Sequence, residues 1–196
     1  MLRIALTVDP EIPVPPTHYG GIERIVDMLV HGLVERGHEV TLFAHPNSKS
    51  PGKFVPWPGR SSQSLSDTLR NASTLARAVR RERFDIVHSF SRIAYLAPIL
   101  PLAVPKIMSY QRSISPRTVG WGHTLSRGTL SFTAISRWMM HTVEHIGHWS
   151  MIPNGVPLAR YTFRPDVAPN APLVFLGRVE EIKGPHLAIE IARRTG

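Results

Sequence analysis

Short apolar runs alternate along the chain with longer stretches whose apolar positions recur at helical spacing. Arg3 to Val8, Glu39 to Ala44 and Asp85 to Phe90 read as strands, with Ile22 to Val34 and Leu65 to Val79 as helices between them. In the first helical stretch Ile22, Ile25, Val26, Leu29, Leu33 and Val34 form one stripe, and Gly37 stands where a left-handed C-terminal cap belongs. In the second, Leu65, Leu69, Ala72, Leu75, Ala76 and Val79 share a face, and Ser64 and Asp67 are placed as a cap and its third-position acid. This order predicts an α/β fold, a parallel sheet with crossover helices on both faces.

Asn47 to Ser64, rich in Ser, Pro and Gly, reads as a long surface loop. Further strands are expected at Lys106 to Tyr110, Phe132 to Ile135 and Trp149 to Ile152, with shorter helices near Ile93 to Leu100 and Arg137 to Ile146. After Pro153-Asn154-Gly155 the pattern breaks into Pro157, Pro165, Pro169 and Pro172, as in an interdomain linker. Leu173 to Leu176 then restarts as a strand, Gly177 to Gly184 as a loop, and Pro185 opens a last helix. One strand and one helix leave an edge and an apolar face uncovered. The expected organisation is therefore a full domain over 1–155, a linker over 156–172 and the truncated start of a second domain over 173–196.

Composition narrows the function classes. The longest apolar stretch, Ile93 to Val104, is broken by Pro98 and Pro101 and is too short for a membrane-spanning helix. The first residues run into Asp9-Pro10 without a small-residue cleavage site, so they read as a strand and not as a signal peptide. The absence of cysteine excludes disulfides, thiolate metal sites and cysteine nucleophiles, and suits a cytoplasmic setting. A formal charge of +9 favours anionic partners: a nucleotide, a phospholipid surface or a nucleic acid.

Four segments carry candidate chemistry. Gly20 and Gly21 lie between the first strand and the first helix, where the ligand crevice of an open α/β sheet falls. Backbone amides at a helix N-terminus favour an anion, although the pair reads equally well as a tight turn. His88 stands near the carboxyl end of its strand, able to donate to a bound hydroxyl, or simply hydrogen-bonded in place. Between Gly177 and Gly184, Arg178 and Lys183 stand five residues apart and could grip a diphosphate, the alternative being a solvated loop. Arg77, Arg80, Arg81 and Arg83 close the second helix, by default as a solvated last turn and, on the sharper reading, as a peripheral contact with an anionic membrane. No aromatic residues interleave with them, which argues against nucleic acid.

In order, Gly20-Gly21-Ile22-Glu23-Arg24, Asp85-Ile86-Val87-His88, Ile135-Ser136-Arg137, Ile152-Pro153-Asn154-Gly155-Val156 and Phe175-Leu176-Gly177-Arg178 with Lys183-Gly184 resemble the retaining, nucleotide-sugar-dependent glycosyltransferases of family 4. Those enzymes have two facing Rossmann-like domains, the GT-B fold, and the resemblance runs from Met1 to Gly196. It implies that this is the N-terminal, acceptor-side domain followed by the beginning of the nucleotide-sugar-binding domain.

The resemblance further implies that Gly20 and Gly21 lie against the donor diphosphate and that His88 contacts the donor sugar. Gly177, Arg178 and Lys183 would hold the diphosphate and stabilise the leaving group, with Ser136, Asn154 and Gly155 near the hinge and cleft floor. The donor would be a UDP- or GDP-type sugar, with no metal or other cofactor. The acceptor, a glycan, lipid or small molecule, would meet Asp9 to Tyr19 and Gln111 to Pro116. Where many relatives carry a histidine, Tyr110-Gln111-Arg112 stands here, so acceptor handling is expected to differ. The paired glutamates of the family's C-terminal domain are not in the chain, so by itself it is expected to be inactive. A contrasting expectation is a non-catalytic acceptor-binding or membrane-docking module whose donor site comes from a second chain, either the missing domain or another copy.

Overall fold

The computed structural model describes residues 1–195 and divides into two units, Met1–Gly155 and Val156–Gly196, each described by itself. The first unit is a seven-stranded sheet of β1 (Arg3–Thr7), β2 (Glu39–Ala44), β3 (Lys53–Pro56), β4 (Ile86–Ser89), β5 (Lys106–Tyr110), β6 (Leu130–Ala134) and β7 (His148–Met151). All pairs are parallel, in the order β3-β2-β1-β4-β5-β6-β7. The direction of strand addition reverses between β1 and β4, which in a doubly wound sheet opens the crevice outside their carboxyl ends.

Helix α1 (Gly21–Glu35) packs on one face, against Ile4, Leu6, Val40, Leu42 and Phe90. Its C-terminus closes as the sequence predicts: Gly37 adopts φ 80°, its N–H donates to Val34 O, and His38 N–H donates to Leu33 O. Helix α2 (Leu65–Arg81) packs on the other face with α3 (Pro116–Ser126) and α4 (Arg137–Met140), over Ala5, Phe43, Val87, Met108 and Phe132. Ser64 caps α2 by accepting the Asp67 N–H at 3.3 Å.

Several elements depart from the sequence reading. The expected Asn47–Ser64 loop contains the edge strand β3, whose four residues end at Pro56 and are too few to show a strand pattern. What anchors it is the next residue: Trp57 is buried and donates from Nε1 to Val8 O at 2.7 Å. The helix expected near Ile93–Leu100 is a 3₁₀ helix over Ile93–Ile99 with Pro98 inside it, a residue without the N–H that α pairing needs. Helix α4 stops at Met140, short of Ile146, and passes into tight turns in which Val143 N–H donates to Met140 O. Helix α3 is not foreseen by the sequence pattern, because Gly120 and Gly122 interrupt it; a Cβ on Gly122 would come within 2.4 Å of Ile93 Cδ1, the movable end of that side chain.

The second unit contains 3₁₀ turns at Leu158–Arg160 and Glu181–Lys183 and the helix α5 (Pro185–Thr195), entered through Gly184 at φ 66° and Pro185 at the first helical position. The strand expected over Leu173–Leu176 does not form: these residues are irregular and exposed, Leu176 to 98%. A single extended segment without a neighbour has no ladder to join. Among the described residues no helix is long and apolar enough to cross a membrane.

Candidate functional site

The carboxyl ends of β1, β4 and β5 enclose a cavity of about 360 Å³. Its polar lining includes Asp9, just beyond β1, and Arg92 and Arg112, beyond β4 and β5; Ile22, Phe90 and Met108 supply apolar wall. Asp9 is 5% exposed and receives two hydrogen bonds, from Arg92 N–H at 3.1 Å and from Arg112 Nη2 at 2.9 Å. Burial pushes its carboxyl above the usual range, against the opposing pull of the Arg112 guanidinium. Ser91 joins Thr7 and Ser89 in a closed ring of hydroxyl contacts between 2.7 and 3.0 Å that ties β1 to β4 at the switch point.

The loop that follows Asp9 is held from several sides. Val14 N–H donates to Ser48 Oγ and Lys49 N–H to Val14 O, while Glu11 accepts from Ser62 N–H. Arg24 Nη2 donates to His18 O, which fixes the approach to α1. This segment was expected to meet the acceptor, and its backbone is set before any ligand binds.

Gly20 and Gly21 open α1 as expected, but they differ. A Cβ on Gly20 would come within 2.6 Å of Pro16 Cβ and 2.9 Å of Glu23 Oε2, whereas Gly21 has nothing within 4 Å of that position. Gly21 is thus the open approach to the helix N-terminus. The Glu23 carboxylate folds back over that end and meets its own backbone N–H, and burial raises its pKa. Part of the anion cradle foreseen in the sequence is therefore occupied by a carboxylate of the chain itself.

His88 lies in β4 on the face that carries α1, its ring 4.6 Å from that of Phe90. Its Nε2 is 2.7 Å from Ser109 Oγ, and burial lowers its pKa to about 4, so the imidazole is neutral at physiological pH. Ser109 lines the cavity with Ile22, the residue after Gly21, so the glycine turn and the partner of His88 border the same space. Asn154 Nδ2 donates to Gln111 Oε1 at 2.8 Å, beside the same loops. Ser136 caps α4 by accepting the Met139 N–H, and a Cβ on Gly155, next to Asn154 in the chain, would meet nothing within 4 Å.

Within the second unit, Gly177 lets its loop close: a Cβ there would lie 3.1 Å from the Phe175 ring and 3.8 Å from Lys183 Cβ. Arg178 pairs with Glu180 at 2.7 Å, with both side chains substantially exposed. A larger cavity, about 500 Å³, sits at the amino ends of the strands around Arg3, Glu39 and Lys53, away from the switch point. Asp9 and Arg112 fall in the two segments expected to meet the acceptor, but their pairing was not foreseen, and Ser109 and Thr133 were not singled out by the sequence; only the parallel register brings these residues together.

The comparisons agree with this architecture. No curated protein sequence gives a significant match. The first solved structure matched is AviGT4, a glycosyltransferase involved in avilamycin A biosynthesis, at 27% identity and a TM-score of 0.57, covering 82% of this chain and 44% of that one. A glycosyltransferase from Rickettsia africae matches at 18% identity and 0.62, covering 81% and 44%, and MurG of Acinetobacter baumannii at 13% and 0.53, covering 80% and 47%. The chain thus spans less than half the length of the solved structures it resembles. The family model described as Glycosyltransferase Family 4 matches residues 19–160, from the glycine turn to beyond β7, and the chain belongs to that family.

Proposed function

We propose that the chain is the acceptor-side part of a retaining glycosyltransferase that takes its sugar from a UDP- or GDP-type donor. The observation that carries this reading is the shared cavity at the switch point, bordered by Ile22 of the glycine turn, the serine that holds His88, and the Asp9–Arg112 pair. In this reading Gly20 and Gly21 receive the diphosphate, and His88 meets the donor sugar. Arg178 and Lys183, next to Gly177, hold the departing diphosphate, with Asn154, Gly155 and Ser136 shaping the cleft floor.

The acceptor occupies the Asp9–Arg112 side, where a carboxylate and a guanidinium together offer directional partners to hydroxyl groups. Transfer runs on one face of the sugar. The bond from the anomeric carbon to the diphosphate oxygen breaks, the bond to the acceptor oxygen forms, and the acceptor proton passes to the diphosphate. Fixed cations and amide dipoles stabilise the charge that develops on the leaving oxygen. Arg77, Arg80, Arg81 and Arg83, at the end of α2 and just beyond it, are placed against an anionic membrane surface in the same reading.

The test is titration calorimetry of the chain with UDP and GDP, with Arg178→Ala and Lys183→Ala as controls. Binding of at least one nucleoside diphosphate is expected, and it should be weakened or lost in both variants. No binding of either nucleotide, or equal binding by the variants, would overturn the reading.

A further inference from the structure

The hydroxyls beside His88 form a short array across three strands. Ser109 and Thr133 are register partners on β5 and β6, and His88 on β4 stands one diagonal step away on the same face. Ser109 Oγ is 2.7 Å from His88 Nε2 and 2.6 Å from Thr133 Oγ1. Both hydroxyl residues are buried, at 5% and 8% exposure.

Each hydroxyl carries one proton and can accept two hydrogen bonds, so three arrangements are open to the array. If His88 Nε2–H donated to Ser109, either Ser109 would donate to Thr133 and leave the Thr133 proton buried without an acceptor, or Thr133 would also donate to Ser109 and leave the Ser109 proton so, because neither hydroxyl makes a further side-chain hydrogen bond among the described residues. In the remaining arrangement Thr133 donates to Ser109 and Ser109 to the Nε2 lone pair, and both hydroxyl protons have an acceptor.

We infer that Ser109 and Thr133 are positioning residues that hold His88 as the Nδ1–H tautomer, so that it offers a bound ligand a hydrogen-bond donor and not a base. The same direction of donation opposes the imidazolium, which would need Nε2 as a donor, and burial acts with it in lowering the His88 pKa to about 4. Resting on the function proposed above, this assigns His88 to donation toward a sugar oxygen. The acceptor proton must then leave by another route, which the diphosphate provides.

The experiment is long-range proton–nitrogen NMR on the chain labelled with nitrogen-15 at histidine, with the His88 signals assigned by their loss in His88→Gln. The expected result is a protonated Nδ1 and a bare Nε2, in about tenfold excess or more over the other tautomer, for a hydrogen bond of ordinary net strength. Ser109→Ala should bring the two forms to comparable populations, and Ser109→Thr, which keeps the hydroxyl, should restore the excess. Thr133→Val gives a second readout should Ser109→Ala not fold, and is expected to weaken the bias in the same direction. A wild-type Nε2–H tautomer would overturn the inference, as would populations that neither substitution moves. Because no sugar nucleotide is present, a chain that binds no nucleoside diphosphate yet shows the Nδ1–H form would refute the proposed function and leave the tautomer standing.

Discussion

His88 gives the fold a dependence on acidity that can be worked through in sign and size. Its pKa falls from 6.5 to about 4 on burial in the folded chain. Between those values an unfolded chain binds a proton at this site and the folded chain does not, so unfolding becomes easier as the pH drops. The contribution is fully present above pH 6.5 and is lost as pH falls through about 4. At about 1.4 kcal/mol for each pH unit, the full loss is about 3 kcal/mol. Asp9 and Glu23, whose pKa values are raised by burial, act with the opposite sign, so the raw stability profile is a sum. His88→Gln separates the terms, since it removes the titration and leaves the two carboxyls in place. Urea unfolding followed by tryptophan fluorescence should show wild type losing about 2.5 kcal/mol more than His88→Gln between about pH 7.5 and about pH 4.5. Parallel profiles for the two proteins would refute the buried, neutral imidazole and the hydroxyl array built on it.

The two glycines should separate folding from binding: Gly21→Ala has open space and should leave stability unchanged or raise it by up to about 1 kcal/mol while weakening nucleoside-diphosphate binding. Gly20→Ala, crowded by Pro16 and Glu23, should lower the melting temperature by the equivalent of about 1–3 kcal/mol, and calorimetry of both variants checks the contrast. Arg112→Met leaves the buried Asp9 carboxylate with only the Arg92 N–H, so it should cost about 1–3 kcal/mol in urea unfolding and raise the Asp9 pKa further, which carboxyl NMR would follow. Lys106 is 1% exposed, donates to the carbonyls of Leu102 and Val104, and has its pKa lowered to about 8 from 10.5 by burial. Its contribution therefore rises with pH through that window, and wild type should gain stability relative to Lys106→Met from pH 8 to about 10 in urea unfolding.

What the sequence made legible was what local chemistry determines. The α1 stripe ending at Gly37, the Ser64 cap with Asp67, and the alternation of strand and helix need only neighbours within a few residues, and each appears in the folded chain. Elements whose stability comes from elsewhere were harder to read. Strand β3 is held by Trp57 reaching Val8, and α3, whose pattern Gly120 and Gly122 interrupt, is held by Val119 in the core with Leu130 and Phe132 of β6. The site divides in the same way: Gly20, Gly21 and His88 stand out by position at strand and helix ends. Asp9 with Arg112, and Ser109 with Thr133, are separated by long stretches of chain and meet only through the parallel register. The folding back of Glu23 over the α1 N-terminus is a rotamer choice that no spacing rule encodes.

The most direct test of the account is amide and imidazole NMR of the chain titrated with UDP-sugars, GDP-sugars and the corresponding sugar 1-phosphates. The account predicts that at least one nucleotide sugar produces saturable shifts at Gly20, Gly21 and the Nδ1–H of His88, with weaker or absent shifts for the sugar phosphate that lacks the nucleotide. If no nucleotide sugar moved these signals, or if the shifts lay at the amino ends of the strands around Arg3 and Glu39, the placement of the donor at the β1–β4 switch point would be contradicted.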